Sequence, residues 1–316
     1  MVLFLPILIY AIWANIFPLG KIALEYSSPL FLTCARMLLA GMLIMGFLTL
    51  FKRGSFKVPL KLWFSFACLG FFSVYLSNFL EFWGLQYLSA AKTCFIYGLS
   101  PFFAAIFSFI HFKEKLNGRK ILGLFIGLIG LLVGIIDKTE SKSFYRLFSI
   151  TSLPELAMIG AAASGSYGWI LLRRLIKDSS ISILLTNGAS MLFGGLMALA
   201  HLLLLGDWNF LPNTIANIVP MLQILLLMTL ISNIICYNFY GMLLKRFTAT
   251  FLSFVGLLSP IFASLSGWIL LSESPSVFIL LSTAIMLLGL WLVYSSEIKQ
   301  GYISARIKRL QLLRRG

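Results

Sequence analysis

The chain has 316 residues, of which 60% are hydrophobic and 11% charged, and it carries a formal net charge of +15. Soluble domains run near about 45–50% apolar and about 25% charged, so this chain has too little charge to cover a water-facing surface. That excludes a nucleic-acid-binding protein, a disulfide-stapled secreted domain and a soluble dinucleotide-binding enzyme, and it predicts an all-α integral membrane protein that crosses the bilayer many times.

A helix needs about 20 apolar residues to cross the hydrocarbon core, and runs of that length predict ten spans. The first, 2–19, has no basic n-region and no small-residue cleavage site, so it reads as a retained span rather than a signal peptide; it carries Trp13 and Asn15. The second, 30–51, contains Arg36, read as a snorkelling or structural cation. In the third, 62–83, Tyr75, Asn78 and Phe82 follow an i, i+3, i+7 spacing on one face, with Glu81 one step round. The fourth, 90–111, holds Tyr97 and Pro101. The fifth, 121–137, repeats Gly123, Gly127, Gly130 and Gly134, small residues that permit close helix contact. The sixth, 154–172, brings Ser166, Tyr167 and Trp169. After the seventh, 181–205, the eighth, 219–241, sets Asn233, Tyr237 and Tyr240 on one face at i, i+4, i+7. The ninth, 249–272, contains Pro260, and the tenth is 277–295. Pro101 and Pro260 are expected to kink their helices by removing a backbone hydrogen bond, which makes them candidate hinges.

Polar groups inside a bilayer are costly unless they find partners, so they are default functional candidates. On that ground the expected substrate-binding residues are Trp13, Asn15, Tyr75, Asn78, Glu81, Tyr97, Ser166, Tyr167, Trp169, Asn233, Tyr237 and Tyr240. The competing reading is an interfacial aromatic belt for the rings and helix–helix hydrogen bonds for the amides. No phosphate-binding GxxxxGK[ST] loop, GxSxG elbow or HExxH motif occurs. Cys34, Cys68, Cys94 and Cys236 lie within apolar runs without metal-site spacing, and His111 and His201 stand alone. No catalytic residue, metal or cofactor is expected, and the chain is not read as an enzyme.

Lys and Arg orient the bundle. The loops after the second, fourth, sixth and eighth spans, together with the tail, hold nineteen of them; the opposite loops hold five. Both termini are therefore expected on the cytoplasmic side. The tail after residue 296 sets Ile303, Ile307 and Leu310 on one helical face flanked by Arg306, Lys308 and Arg309, as expected of a segment lying on anionic lipid.

The two halves resemble each other. At a constant offset, Ser100, Pro101, Phe103, Ala104, Glu114 and Gly130 pair with Ser259, Pro260, Phe262, Ala263, Glu273 and Gly289, while RMLLAG (36–41) matches SMLFGG (190–195). Five spans per half require the second half to enter the membrane upside down. The charges agree, since Lys113, Lys115, Arg119 and Lys120 pair with uncharged residues. The expected organisation is a first five-helix repeat over 1–137, a polar linker over 138–153, an inverted second repeat over 154–296 and a basic tail over 297–316. Inverted repeats are typical of secondary transporters, which place the site near the midplane between the halves.

The opening WANIFPLGKIALEYSSPLFLTCARMLLAG, and the paired segments SPFFAAIFSFIHFKEKLNGRKILGLFIGLIGLLVG and SPIFASLSGWILLSESPSVFILLSTAIMLLGLWLV, resemble EamA-type members of the drug/metabolite transporter superfamily. The resemblance covers nearly the whole chain; DKTESKSFYRLFSITSLPE, between the fifth and sixth spans, is longer than a family linker. It implies a bacterial inner-membrane protein with a central cavity, open to one side at a time and lined mainly by the first, third, fourth, sixth, eighth and ninth helices. Some members from intracellular bacteria exchange S-adenosylmethionine, so the resemblance implies exchange of that compound for S-adenosylhomocysteine. The alternatives are export of amino acids or other metabolites and drugs, or a channel or scaffold. The expected partners are a small-molecule metabolite, membrane lipid at the tail and, as an open alternative, a second copy in a homodimer; nucleic acid is not among them.

Overall fold

The computed structural model describes residues 4–88, 93, 96–136, 152–177, 181–205, 215–259, 261–262 and 277–302. All regular structure among these residues is helical. Most of the linker, Pro260 and the tail beyond residue 302 lie outside them.

The first span is two helices, α1 (Phe4–Trp13) and α2 (Ile16–Leu24). Pro18 has no N–H to offer the Ala14 carbonyl, and the Asn15 side-chain amide instead donates to the carbonyls of Ala11 and Ile12 at 3.2 and 3.3 Å. α3 (Pro29–Phe51) starts where the Ser28 hydroxyl accepts from the Phe31 amide, with Pro29 in the first turn, both standard helix-start chemistry. The next span runs through α4 (Leu60–Leu69), a π-helical segment over Gly70–Leu76 and α5 (Ser77–Tyr87). There follow α6 (Ser100–Phe112), α7 (Gly118–Ile136), α8 (Leu153–Lys177) and α9 (Ile183–Leu205). α10 (Ile215–Met228) leads through a second π segment, Thr229–Cys236, into α11 (Tyr237–Leu244). α12 (Ala249–Val255) and α13 (Val277–Lys299) complete the set.

Six stretches among the described residues are long and apolar enough to cross a membrane: Phe4–Leu24, Pro29–Phe51, Leu60–Tyr87, Ile183–Leu205, Asn217–Leu244 and Leu281–Lys299. Ser100–Phe112 and Ala249–Leu258 are apolar but shorter. α7 also has the length and is strongly apolar after Arg119 and Lys120, whereas α8 has the length but carries Ser164, Ser166, Tyr167, Arg173 and Arg174. The distribution of polarity is that of a protein in lipid. Leu60 and Leu204 are 86% and 87% exposed, whereas Arg36, Asn187 and Asn233 are buried.

Two helix pairs form the frame. α3 and α9 run antiparallel with reciprocal contacts: a Cβ on Gly41 would stand 2.9 Å from the Leu192 amide nitrogen, and one on Gly195 2.9 Å from that of Leu38. α7 and α13 do the same through Gly123 and Gly289, each of which faces the other's carbonyl oxygen at 2.9 and 2.7 Å from where a Cβ would be. Such backbone approach leaves no room for a side chain. Gly123→Leu should therefore force α7 off α13, and about 1–3 kcal/mol of stability is expected to be lost as in other overpacked cores. A drop in the melting temperature of detergent-purified protein checks this, with Gly118→Leu, which meets nothing within 4 Å, as the control.

At one end of the bundle, charged and polar groups from five segments converge. The Lys120 ammonium pairs with the Glu297 carboxylate at 2.7 Å, and both side chains are wholly buried. The Thr248 hydroxyl donates to the same carboxylate at 2.5 Å. Beside them Arg173 pairs with Glu114 at 2.7 Å and lies over the Phe112 ring at 4.6 Å. The Lys115 amide donates to the Tyr302 hydroxyl at 2.8 Å. The loop between α6 and α7, the start of α7, the end of α8, the start of α12 and the end of α13 are thus tied together.

Candidate functional site

Between the frames lies a cavity lined from α1, α2, α3, the π segment over 70–76, α5, α8, α11 and the turn that precedes α6. One wall is aromatic. The Trp13 indole N–H donates to the Ser232 hydroxyl at 3.1 Å, which fixes the ring against Tyr237 at 5.5 Å and Trp169 at 6.0 Å between centroids. Phe17, just past the break in the first span, sets its edge on Tyr97 at 5.9 Å.

The adjoining wall is shaped by the π segment. Its i→i+5 pattern interrupts the regular ladder and makes the Ser73 carbonyl available to side chains. The Asn78 amide donates to it at 3.2 Å and the Tyr237 hydroxyl at 3.3 Å, while Asn78 also donates to the Tyr237 oxygen at 3.3 Å. α8 lies flush against this segment because Gly168 leaves space there; a Cβ would come within 2.8 Å of the Ser73 Cα. The Ser164 hydroxyl donates to the Phe72 carbonyl at 2.7 Å and the Ser77 hydroxyl to that of Ala161 at 3.1 Å. Ser166 reaches the Ser100 carbonyl at 3.2 Å, which ties α8 to the start of α6.

Two opposite charges face this space. Glu81 on α5 is partly buried and lines the cavity with Tyr97, whose hydroxyl hydrogen-bonds it and reaches Ser77. Arg36 on α3 is 1% exposed. One of its terminal nitrogens donates to the Asn233 side-chain oxygen at 3.1 Å, and its guanidinium carbon lies 5.2 Å from the Phe82 ring centre. Among the described residues its Nε and Nη1 find no hydrogen-bond partner.

Of the residues singled out in the sequence, Trp13, Asn78, Glu81, Tyr97, Ser166, Trp169 and Tyr237 come together on the cavity. Asn15 turns back to cap α1. Tyr75 points to α9, where its hydroxyl meets His201 Nδ1 at 2.9 Å and its ring stacks on Phe79; a regular 3.6-residue period does not carry through the π segment that contains it. Tyr167 packs on Phe72, Phe107 and His111. Asn233 stands one step back, holding Arg36 and donating to the Met37 sulfur at 3.0 Å. Tyr240 lies beneath the aromatic wall, 4.2 Å from Trp169. Pro101 is in the first turn of α6, where its missing N–H costs no hydrogen bond; the chain bends just before it, at Gly98–Leu99. Pro260 lies outside the described residues. Arg36, Phe17 and the hydroxyls of Ser73, Ser77, Ser232 and Ser253 are also among the lining, without having been singled out as binding residues. For Arg36 the available signal was a cation deep inside an apolar span.

Residues 1–135 and 152–295 match the model of the EamA-like transporter family. A Chlamydia muridarum protein named S-adenosylmethionine/S-adenosylhomocysteine transporter is 42% identical over 307 residues, which span 96% of this chain and 94% of that relative. A Chlamydia trachomatis protein of the same name is 39% identical, over 96% of this chain and 92% of the relative. A solved crystal structure 15% identical in sequence superposes with a TM-score of 0.71, covering 92% of this chain and 96% of the other; that likeness is one of fold alone.

Proposed function

From the premise that the chain belongs to the EamA-like transporter family, a family of multi-pass membrane proteins and not of enzymes, we propose that it exchanges S-adenosylmethionine for S-adenosylhomocysteine across a bacterial inner membrane. The observation that carries this is the cavity, which sets aromatic faces beside one carboxylate and one guanidinium. An adenine ring stacks on aromatic faces, and a sulfonium is drawn to a carboxylate or to the face of a ring. Trp13, Trp169 and Tyr237 form the stacking wall, Glu81 with Tyr97 receives the sulfonium, and Asn78 and Ser166 contribute hydrogen bonds. The names of the two chlamydial relatives support the same substrate pair.

Transport proceeds in this reading by alternating access in a bundle of ten spans, built as two inverted five-helix repeats over 1–137 and 154–296. The reciprocal glycine contacts of α3 with α9 and of α7 with α13 support it, as homologous helices related by a two-fold axis in the membrane plane must run antiparallel. So does the match of the family model to two separate segments. Both termini face the cytoplasm, supported by the cation bias and by the convergence of the α6–α7 loop with the ends of α8 and α13. The bend before α6 serves as a hinge with Pro260 as its repeat-related counterpart, the basic tail anchors on anionic lipid, and the outward apolar faces suit a homodimer.

Counterflow into proteoliposomes preloaded with unlabelled S-adenosylmethionine tests the function. Labelled S-adenosylmethionine should accumulate transiently and be blocked by S-adenosylhomocysteine but not by methionine or adenosine. Block by methionine alone would instead assign amino-acid transport, and entry without saturation would assign a channel.

A further inference from the structure

We propose that Arg36 receives the carboxylate of the transported compound's amino-acid arm and makes a carboxylate obligatory in the substrate. The inference rests on the exchange of S-adenosyl compounds described above and goes beyond it by assigning the end of the molecule that the aromatic wall and Glu81 leave unheld.

A guanidinium taken out of water is costly unless its donors are met. Arg36 is almost wholly buried, yet among the described residues its Nε and Nη1 have no partner, and the residue lines the cavity. What it does have fixes its position rather than its charge. The Asn233 oxygen takes one donor, and the Phe82 ring supports one side of the guanidinium. Asn233 is itself anchored on the Met37 sulfur. The carboxylate in the same cavity, Glu81, is engaged by Tyr97 and makes no hydrogen bond to the free nitrogens of Arg36. Glu81 and Arg36 are close enough to act on each other's charge, but no hydrogen bond joins them, so the site presents a negative and a positive station side by side.

The fold does not require this cation. In the alignment of RMLLAG with SMLFGG, Arg36 stands opposite Ser190, and at the offset that pairs Ser100 with Ser259, Glu81 stands opposite Tyr240. Both charges break the likeness of the halves at positions where the partner half folds without one. A carboxylate fits the free donors of a guanidinium best, since charge-assisted bonds to it are stronger than neutral ones.

The test compares S-adenosylmethionine with its decarboxylated form, which keeps the adenine, the sulfonium and the amine. Binding to detergent-purified protein and counterflow are both read. Wild-type protein should prefer S-adenosylmethionine by at least about thirtyfold, roughly 2 kcal/mol, a margin ordinary for hydrogen bonds to a charged group. In Arg36→Gln the preference should fall to within about threefold because S-adenosylmethionine weakens while the decarboxylated compound does not. Arg36→Lys should restore part of it.

Equal handling of the two compounds by wild-type protein would overturn the assignment with no variant needed, and leave the exchange function standing. Parallel weakening of both compounds in Arg36→Gln and Arg36→Lys would also overturn it, and make Arg36 a packing residue. Failure of wild-type protein to bind either compound would overturn both this assignment and the function it rests on.

Discussion

Glu297→Gln is expected to lower the stability of the protein by about 3–5 kcal/mol, the usual result of leaving one member of a buried ion pair without its partner. Lys120 and Glu297 are both wholly buried at a separation of 2.7 Å. The glutamine keeps a hydrogen-bond acceptor for the Thr248 hydroxyl, so the loss isolates the charge on Lys120. The double variant Lys120→Met with Glu297→Leu should recover most of the stability, because apolar residues of similar volume often replace a buried pair at little cost. Melting of detergent-purified protein, followed by the fraction that elutes as a single species after heating, reads both. A single variant that melts with wild type would mean that water reaches the ammonium when the carboxylate is gone.

In transport, Glu81→Gln is expected to discriminate between the two exchanged compounds. The substitution keeps size and hydrogen bonding but removes the negative charge of the cavity. S-adenosylmethionine carries a sulfonium and S-adenosylhomocysteine does not, and a charge interaction is far stronger in a site shielded from water than in solution. The apparent KM for S-adenosylmethionine should rise about tenfold, equivalent to about 1.4 kcal/mol, with that for S-adenosylhomocysteine changing by less than about twofold. Counterflow with each compound inside and outside separates the two. Equal increases would remove Glu81 as the sulfonium's counter-charge and leave it a structural partner of Tyr97.

Much of the architecture was legible because lipid imposes simple rules. Apolar runs located the helical stretches that the structure describes, and the glycines at 123, 127 and 130 marked the face on which α7 meets α13 and the Phe254 ring. Within the site, reading single residues off regular helix brought some to the cavity but not Tyr167 on α8 or Tyr240 on α11. Trp169 and Ser166 on α8 and Glu81 on α5 reach the cavity because nothing between them and their helix disturbs the period. Faces extended through the two π segments were not legible. Tyr75 and Asn78 share a face only if the helix stays regular, and the π turn sends Tyr75 to His201 instead. Serines such as Ser73 and Ser232 carry no signal of their own, since hydroxyls serve helix contacts as readily as ligands. Arg36 looked like a snorkelling cation. Asn233, nearly two hundred positions away, holds it inward, and no local pattern announces that contact.

The two π segments begin at Gly70 and Thr229, 159 positions apart, the separation that also relates Asn78 to Tyr237 and Ser100 to Ser259. A π turn accommodates roughly one residue more than an α turn. On the duplication reading, two independent insertions at one matching place are a poorer account than a single one inherited twice. The extra residue then belonged to an ancestral half-length polypeptide, before the gene doubled and before Arg36 and Glu81 distinguished one half from the other. On that reading the widened turn is the older inheritance, and the charges that face the cavity mark where the two halves have since diverged.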